Sequence, residues 1–111
     1  MKPKLSNVSS KYGCPMGRIG AYPIDANAPL KLHLTRLKLI DGDYDQGGAY
    51  WGNTPGTSIY WALSDEEVAT RFARGSSTDR IEQVSIFVRA TSREDAKTKV
   101  RQHVHNARFY R

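Results

Sequence analysis

Asp41, Asp43 and Asp45 stand two residues apart at the start of DGDYDQGGAYWG, residues 41–52. Alternate aspartates of this kind open the calcium loop of an EF-hand. That loop also needs glycine at its sixth position and a bidentate glutamate at its twelfth. Here Gln46 and Gly52 occupy those positions, so a calcium site is not expected. Two close carboxylates can also divide general acid and general base work between them. Beside glycines, however, aspartates are ordinary turn formers. A phosphate-cradling loop would need a Gly-Lys-Ser/Thr ending, and no lysine falls between residues 41 and 67. The only thiol is Cys14 and the only imidazoles are His33, His103 and His105. Cys14 lies in a proline-bounded stretch, a poor place for precise geometry. His103 and His105 would point about 200° apart on a helix, so they cannot chelate one ion together. His103 falls beside an apolar stripe and is expected as a packing residue. These residues predict no catalytic group, no metal and no cofactor.

Binding chemistry is better represented. Tyr44, Tyr50, Trp51, Tyr60 and Trp61 crowd one loop and the segment after it. Exposed rings stack on bases or anchor protein interfaces. Alternatively the loop folds back, and Trp51 and Trp61 cap a small core. Gly47 and Gly48 are expected to supply positive φ, with Gly52 as a further turn glycine. Asp45 is positioned to accept from the turn's backbone N–H groups. A second candidate surface is a basic stripe. On a helix Lys97, Arg101 and Arg108 fall within about 40° of one another, with His105 close by, and such a stripe can track phosphates.

The charge layout agrees with two distinct surfaces. The net charge is +6, divided as +6 over residues 1–40, −6 over 41–67 and +6 over 68–111. Excess positive charge favours a polyanion, whereas the acidic middle would suit a basic protein partner. A hydrophobic fraction of 39% and a charged fraction of 25% are those of a globular domain. The first residues, MKPKLSNVSSKYG, lack the apolar run of a signal peptide. With a single cysteine, this predicts a cytoplasmic protein without membrane contact.

The elements that must carry these surfaces follow from periodicity. Residues 1–29 hold four prolines and no regular period, which predicts an irregular N-terminal arm before a single domain, 30–111. Leu30, Leu32 and Leu34 alternate with Lys31, His33 and Thr35. The parity slips near Thr35-Arg36, which predicts one long strand with a bulge. Asn53-Thr54-Pro55-Gly56 suits a type II turn, and TSIYWAL (57–63) a second strand. Ser64-Asp65-Glu66-Glu67 matches a capping box. Val68, Ala69, Phe72 and Ala73 then read as the apolar face of a helix ending at Gly75. IEQVSIFVRA (81–90) predicts a third strand, with Val84, Ile86, Val88 and Ala90 on one face. Ser92 caps a second helix, with Ala96, Val100, Val104 and Ala107 inward. ARFYR at the end suits a short edge strand. The expected fold is α+β: a small antiparallel sheet of three to four strands with two helices on one face.

Four stretches are familiar together: YGCPMGR (12–18), YDQGGAYWG (44–52), IYWA (59–62) and VRATSREDAK (88–97). They resemble a family of short proteins encoded by phages, plasmids and other mobile elements, through motifs of the form YGxPMGR and YDxGGAYWG. The resemblance spans most of the chain. It implies a mobile-element accessory protein and brings no catalytic residues. The family more often has Ala at the position of Cys14, which argues further against a thiol mechanism.

Two functions follow as expectations. The first is a non-enzymatic accessory protein that binds nucleic acid, with Lys11, Arg18, Lys97, Arg101 and Arg108 on phosphates. The second is an inhibitor of a host defence nucleoprotein complex, of the anti-CRISPR or anti-restriction type. It would dock through the acidic aromatic loop 41–61, with Tyr44, Asp45, Tyr50, Trp51 and Tyr60 as contacts.

Overall fold

Leucines at every second position and two runs rich in β-branched residues dominate the architecture, which is mostly β. The structure, a computed structural model, describes residues 20–40, 43–52, 55–72 and 79–110. In chain order these form β1 (Ala21–Pro23), β2 (Lys31–Arg36), β3 (Leu39–Ile40), β4 (Tyr44–Asp45), β5 (Ser58–Phe72), β6 (Arg80–Ala90), α1 (Arg93–Arg101) and β7 (Arg108–Phe109). Five strands make one mixed sheet in the order β1-β6-β5-β2-β7, and β3 and β4 pair separately. β7 runs parallel to β2, and the other pairings are antiparallel.

The register sorts side chains onto two faces. Leu34 is opposite Ala62, which is opposite Ile86; one step along, Thr35 meets Trp61 and Trp61 meets Phe87. Because side chains alternate, Leu32, Leu34, Tyr60, Ala62, Val84, Ile86 and Val88 share one face, and all are buried. α1 lies against β6; its Ala96 and Val100 are fully buried, as is Val104 after it, and Ala107 is buried too. The Ser92 side chain caps α1 by accepting from the Asp95 N–H. The Asp95 carboxylate accepts in turn from the Thr91 N–H at 2.9 Å, which holds its pKa below the usual range. The other face carries His33, Thr35, Ile59, Trp61, Leu63, Ser85, Phe87 and Arg89.

The expected arrangement of two helices on a small antiparallel sheet is overturned. α1 is the one helix among the described residues. The segment expected as the first helix, from Ser64 onward, continues β5 to Phe72, and Ala73, Arg74 and Gly75 lie outside the described residues. The pairing explains the outcome. Leu63 pairs with Ser85 and Glu67 with Gln83, so residues 64–66 stand opposite Val84 alone, a wide bulge. The Ser64 hydroxyl accepts from the Val84 N–H at 2.8 Å and donates to the Glu66 carbonyl at 2.7 Å. The Gln83 side chain donates to the Ser64 carbonyl. The serine meant to cap a helix thus repairs a strand. Beyond it Val68 pairs with Glu82 and Thr70 with Arg80, and β1 pairs with the other edge of β5 at 70–72. Two waiting strand partners outweigh local helix grammar.

Two other expectations change. The slip near Thr35-Arg36 is a break between β2 and β3, where the Leu37 N–H donates to the Ile59 carbonyl at 2.8 Å. Residues 21–23, expected within an irregular arm, are strand β1, with Ala21 and Tyr22 buried. Burial pushes the Tyr22 phenol up to about 12. Gly20 precedes β1 where an added Cβ would meet the Ser85 carbonyl oxygen at 2.6 Å, so only glycine fits there.

Removing the Ser64 hydroxyl leaves a buried backbone N–H without its acceptor. Ser64→Ala is expected to lower stability by about 1–3 kcal/mol, read from the urea midpoint; an unchanged midpoint would contradict the bulge. His103 packs edge-on against Tyr22, with ring centroids 5.0 Å apart. Burial, and secondarily His105, lowers its pKa. The unfolded chain therefore binds the proton more tightly than the folded one. Stability is expected to fall as pH drops below about 6.5, the ordinary imidazole value, until the folded-state value is passed. Thermal melts of His103→Gln should show a shallower acid limb than the parent.

Candidate functional site

The loop 43–52 is built around one carboxylate. Asp45, 4% exposed, accepts through Oδ1 from the N–H of Gly47 at 2.8 Å and of Ala49 at 3.0 Å. Its Oδ2 accepts from the Trp51 indole Nε1–H at 2.9 Å. Backbone bonds close the turn from both sides: Gly48 N–H donates to the Asp45 carbonyl, Asp45 N–H to the Ala49 carbonyl, and Trp51 N–H to the Asp43 carbonyl. Gly48 has φ +88° and Gly52 +74°, the left-handed region that glycine tolerates. Gly47 is not among the positive-φ residues; its part is the N–H it donates. Gly56, at φ +79° after Pro55, has the conformation a type II turn needs, while Asn53 and Thr54 lie outside the described residues.

Trp51 then seats on the second face of the sheet. It has no exposed surface and packs against Phe87, with ring centroids 5.2 Å apart. Its carbonyl accepts from the Arg89 guanidinium, which also reaches the Thr57 hydroxyl at 3.4 Å. Burial lowers the Arg89 pKa, and the nearby Asp43 charge opposes that shift.

The aromatic surface expected at this loop is therefore much smaller. Trp51, Asp45 and Tyr60 are interior, since each is needed for packing or for the turn. Tyr44 is exposed and Tyr50 half-buried, with ring centroids 4.9 Å apart. Asp41 lies outside the described residues. Among the described residues no group of three or more His, Cys, Asp or Glu gathers to hold a metal ion.

Trp61 is half-buried on the same face of the sheet as Phe87. It lies nearly parallel to Phe87, at 5.6 Å and 8°, and its Nε1–H donates to the Ser85 hydroxyl at 2.7 Å. Together with the 45–49 turn and the end of β2, Arg36 and Lys38 included, it lines an open groove of about 950 Å³.

The basic candidates come together differently from expectation. α1 ends at Arg101, so Arg108 does not continue its stripe. Strand β7 brings Arg108 back instead, opposite Lys31. Lys97 and Arg101 both sit over the Phe109 ring, at 5.8 and 5.0 Å from its centroid. Lys31 sits over Tyr110 at 4.3 Å. The Arg93 guanidinium donates to the Leu34 carbonyl at 2.8 Å on the same edge. Acids are present too: Glu94 pairs with Lys97 at 3.3 Å. His33 Nε2 lies 3.0 Å from Asp65, a contact that lowers the Asp65 pKa. The His33 ring stacks on Tyr110 at 4.0 Å. Lys11, Arg18 and Cys14 lie outside the described residues.

Sequence reasoning missed Lys31, Arg93, Phe109 and Tyr110 as members of this edge. The available signal was the alternation of basic and aromatic residues in RFYR against the lysine-bearing face of residues 30–35. Comparison with family models, with curated proteins and with solved structures found no match for this chain.

Asp45→Asn keeps one acceptor but turns an N–H₂ group toward the Trp51 Nε1–H. A loss of about 1.5–3 kcal/mol is expected, the range for a bond to a charged group. Urea unfolding followed by indole fluorescence measures it, and a parent-like curve would show that the carboxylate does not organise the loop.

Proposed function

We propose that this chain is a non-enzymatic accessory protein of a phage or other mobile element, and that it binds nucleic acid. The mobile-element part rests on the motif resemblance. The binding part rests on one observation: Lys31, Lys97, Arg101 and Arg108, with the rings of Phe109 and Tyr110, share the edge formed by α1, β2 and β7. Cations layered over rings keep their charge available at the surface, with the stem and ring covering each other. Phosphates are recognised by such charges, and bases by such rings. Arg101 donates to the Ala107 carbonyl and Arg108 is exposed on β7; among the described residues neither is in an ion pair. The chemistry-rich carboxylate of the sequence, Asp45, is committed to the loop, which supports a binding role over a catalytic one.

Docking of a protein partner through residues 41–61 is less well supported, because Asp45, Trp51 and Tyr60 are interior.

Binding of the full chain to labelled DNA and RNA oligonucleotides, followed by fluorescence anisotropy across a salt series, tests the reading. With three phosphate contacts, affinity is expected to fall at least about tenfold between 50 and 200 mM salt. Combining Lys97→Ala, Arg101→Ala and Arg108→Ala should weaken binding and flatten that slope. Absence of binding, or affinity indifferent to both salt and these substitutions, would refute the proposal.

A further inference from the structure

We infer that the groove over Trp61 receives a single unstacked base, so that the protein selects single-stranded nucleic acid over duplex. This inference rests on the nucleic-acid reading above and adds a second contact region with its own specificity. Trp51, Phe87 and Trp61 form a row of rings in which Trp51 and Phe87 are closed off from solvent and Trp61 is the open member. Its indole N–H is already satisfied by Ser85. What Trp61 offers the groove is therefore a flat, apolar ring, the surface on which any base stacks without regard to sequence.

The walls supply the rest of a nucleotide's requirements. Arg36 and Lys38, both exposed, border the groove and supply positive charge at its rim for the sugar–phosphate backbone of a seated base. Gln46 and Gly47 line it too, and the Gln46 amide can both donate to and accept from a base edge. Asp45 also lines the groove, but its oxygens are turned onto the Gly47, Ala49 and Trp51 N–H groups. These neutral donors solvate the carboxylate and hold it against the turn, so it keeps its negative charge and presents no free oxygen for a base edge. The volume, about 950 Å³, is in the range of small-ligand sites.

Continuity with the basic edge gives the strand a path. Thr35 borders this groove and also a second depression lined by Arg93, Lys97, Phe109 and Tyr110. A backbone held by Lys97 and Arg93 can thus pass over Thr35 and drop a base onto Trp61. A duplex cannot do this without unpairing, because its bases are stacked inside a rigid double helix.

The test uses the full-length protein with labelled oligothymidylate, alone and annealed to oligodeoxyadenylate. The parent is expected to prefer the single strand by about tenfold, the effect of one stacked base. Trp61→Ala should remove that preference by weakening single-strand binding, and Arg36→Ala with Lys38→Ala should reduce it by weakening single-strand binding more than duplex binding. Single-strand binding should also quench indole fluorescence in the parent and not in Trp61→Phe, which keeps a ring and leaves only buried Trp51 to report. The two exposed charges and the Trp61→Phe change answer the question even where Trp61→Ala does not fold. Equal affinity for both forms, or a preference that survives these substitutions, overturns the groove while leaving the basic edge standing. No binding of either form overturns both.

Discussion

A buried carboxylate is costly to desolvate unless its lone pairs are filled, and the Asp45 side chain answers that demand by drawing a loop around itself. Two backbone N–H groups and one indole N–H converge on its two oxygens. The loop has only the two-residue strand β4 as regular structure, so this convergence stands in for a helix or a hairpin ladder. It also sets the position of Trp51, and through the Trp51 carbonyl it reaches Arg89 in β6. One acid therefore ties an irregular segment to the centre of the sheet. The fully buried Trp51 ring closes over Phe87 and completes the second side of the core.

That arrangement divides the sheet into faces with different duties. The face bearing Leu32, Leu34, Ala62 and Ile86 is apolar, and α1 closes it. The opposite face is only partly covered, since the 43–52 loop ends before it reaches Trp61 and Leu63, both half-buried. Charge follows the same division. Asp65, Glu66 and Glu67 emerge together at the β5 bulge, whereas the α1–β7 edge collects lysine and arginine over aromatic rings. The acidic residues of the bulge and the basic residues of the α1–β7 edge thus become neighbouring regions, joined where Asp65 meets His33 and His33 stacks on Tyr110. An incoming polyanion would be drawn to one and oriented by repulsion from the other.

Much of this was legible in the residues and some was not, for physical reasons. Strict alternation in Leu30–Leu34 and Val84–Ala90 identified buried strand faces, because period two has no helical counterpart. Ser92 announced α1 correctly, since no strand partner competes for residues 93–101. Ser64 carried the same local signal and meant something else. A hydroxyl that can cap a helix can equally fill the gap of a bulge, and what decides is whether Arg80–Gln83 lie alongside, a long-range fact. Asp45 as the acceptor of its own turn was readable from its glycines. The burial of Trp51 was not, because exposed and interior tryptophans follow the same loop grammar. Arg108 was placed on a helix wheel that ends seven residues earlier, at Arg101; its real position depends on parallel pairing with Lys31, which no local period encodes.

The basic edge and the Trp61 groove share a single strand. β2 pairs with β7 at Lys31 and Leu32 and with β5 at Thr35 and Arg36. Its first residues therefore serve the basic edge and its last ones the wall of the Trp61 groove. A rise of about 3.3 Å per residue separates Lys31 from Arg36 by roughly 16 Å, a span that an extended nucleic-acid strand covers with a few phosphates. The loop that hides one tryptophan also raises the groove wall beside the other. The Asp45 carboxylate, by fixing the 45–49 turn, is the reason that turn stands beside the Trp61 ring and completes the groove.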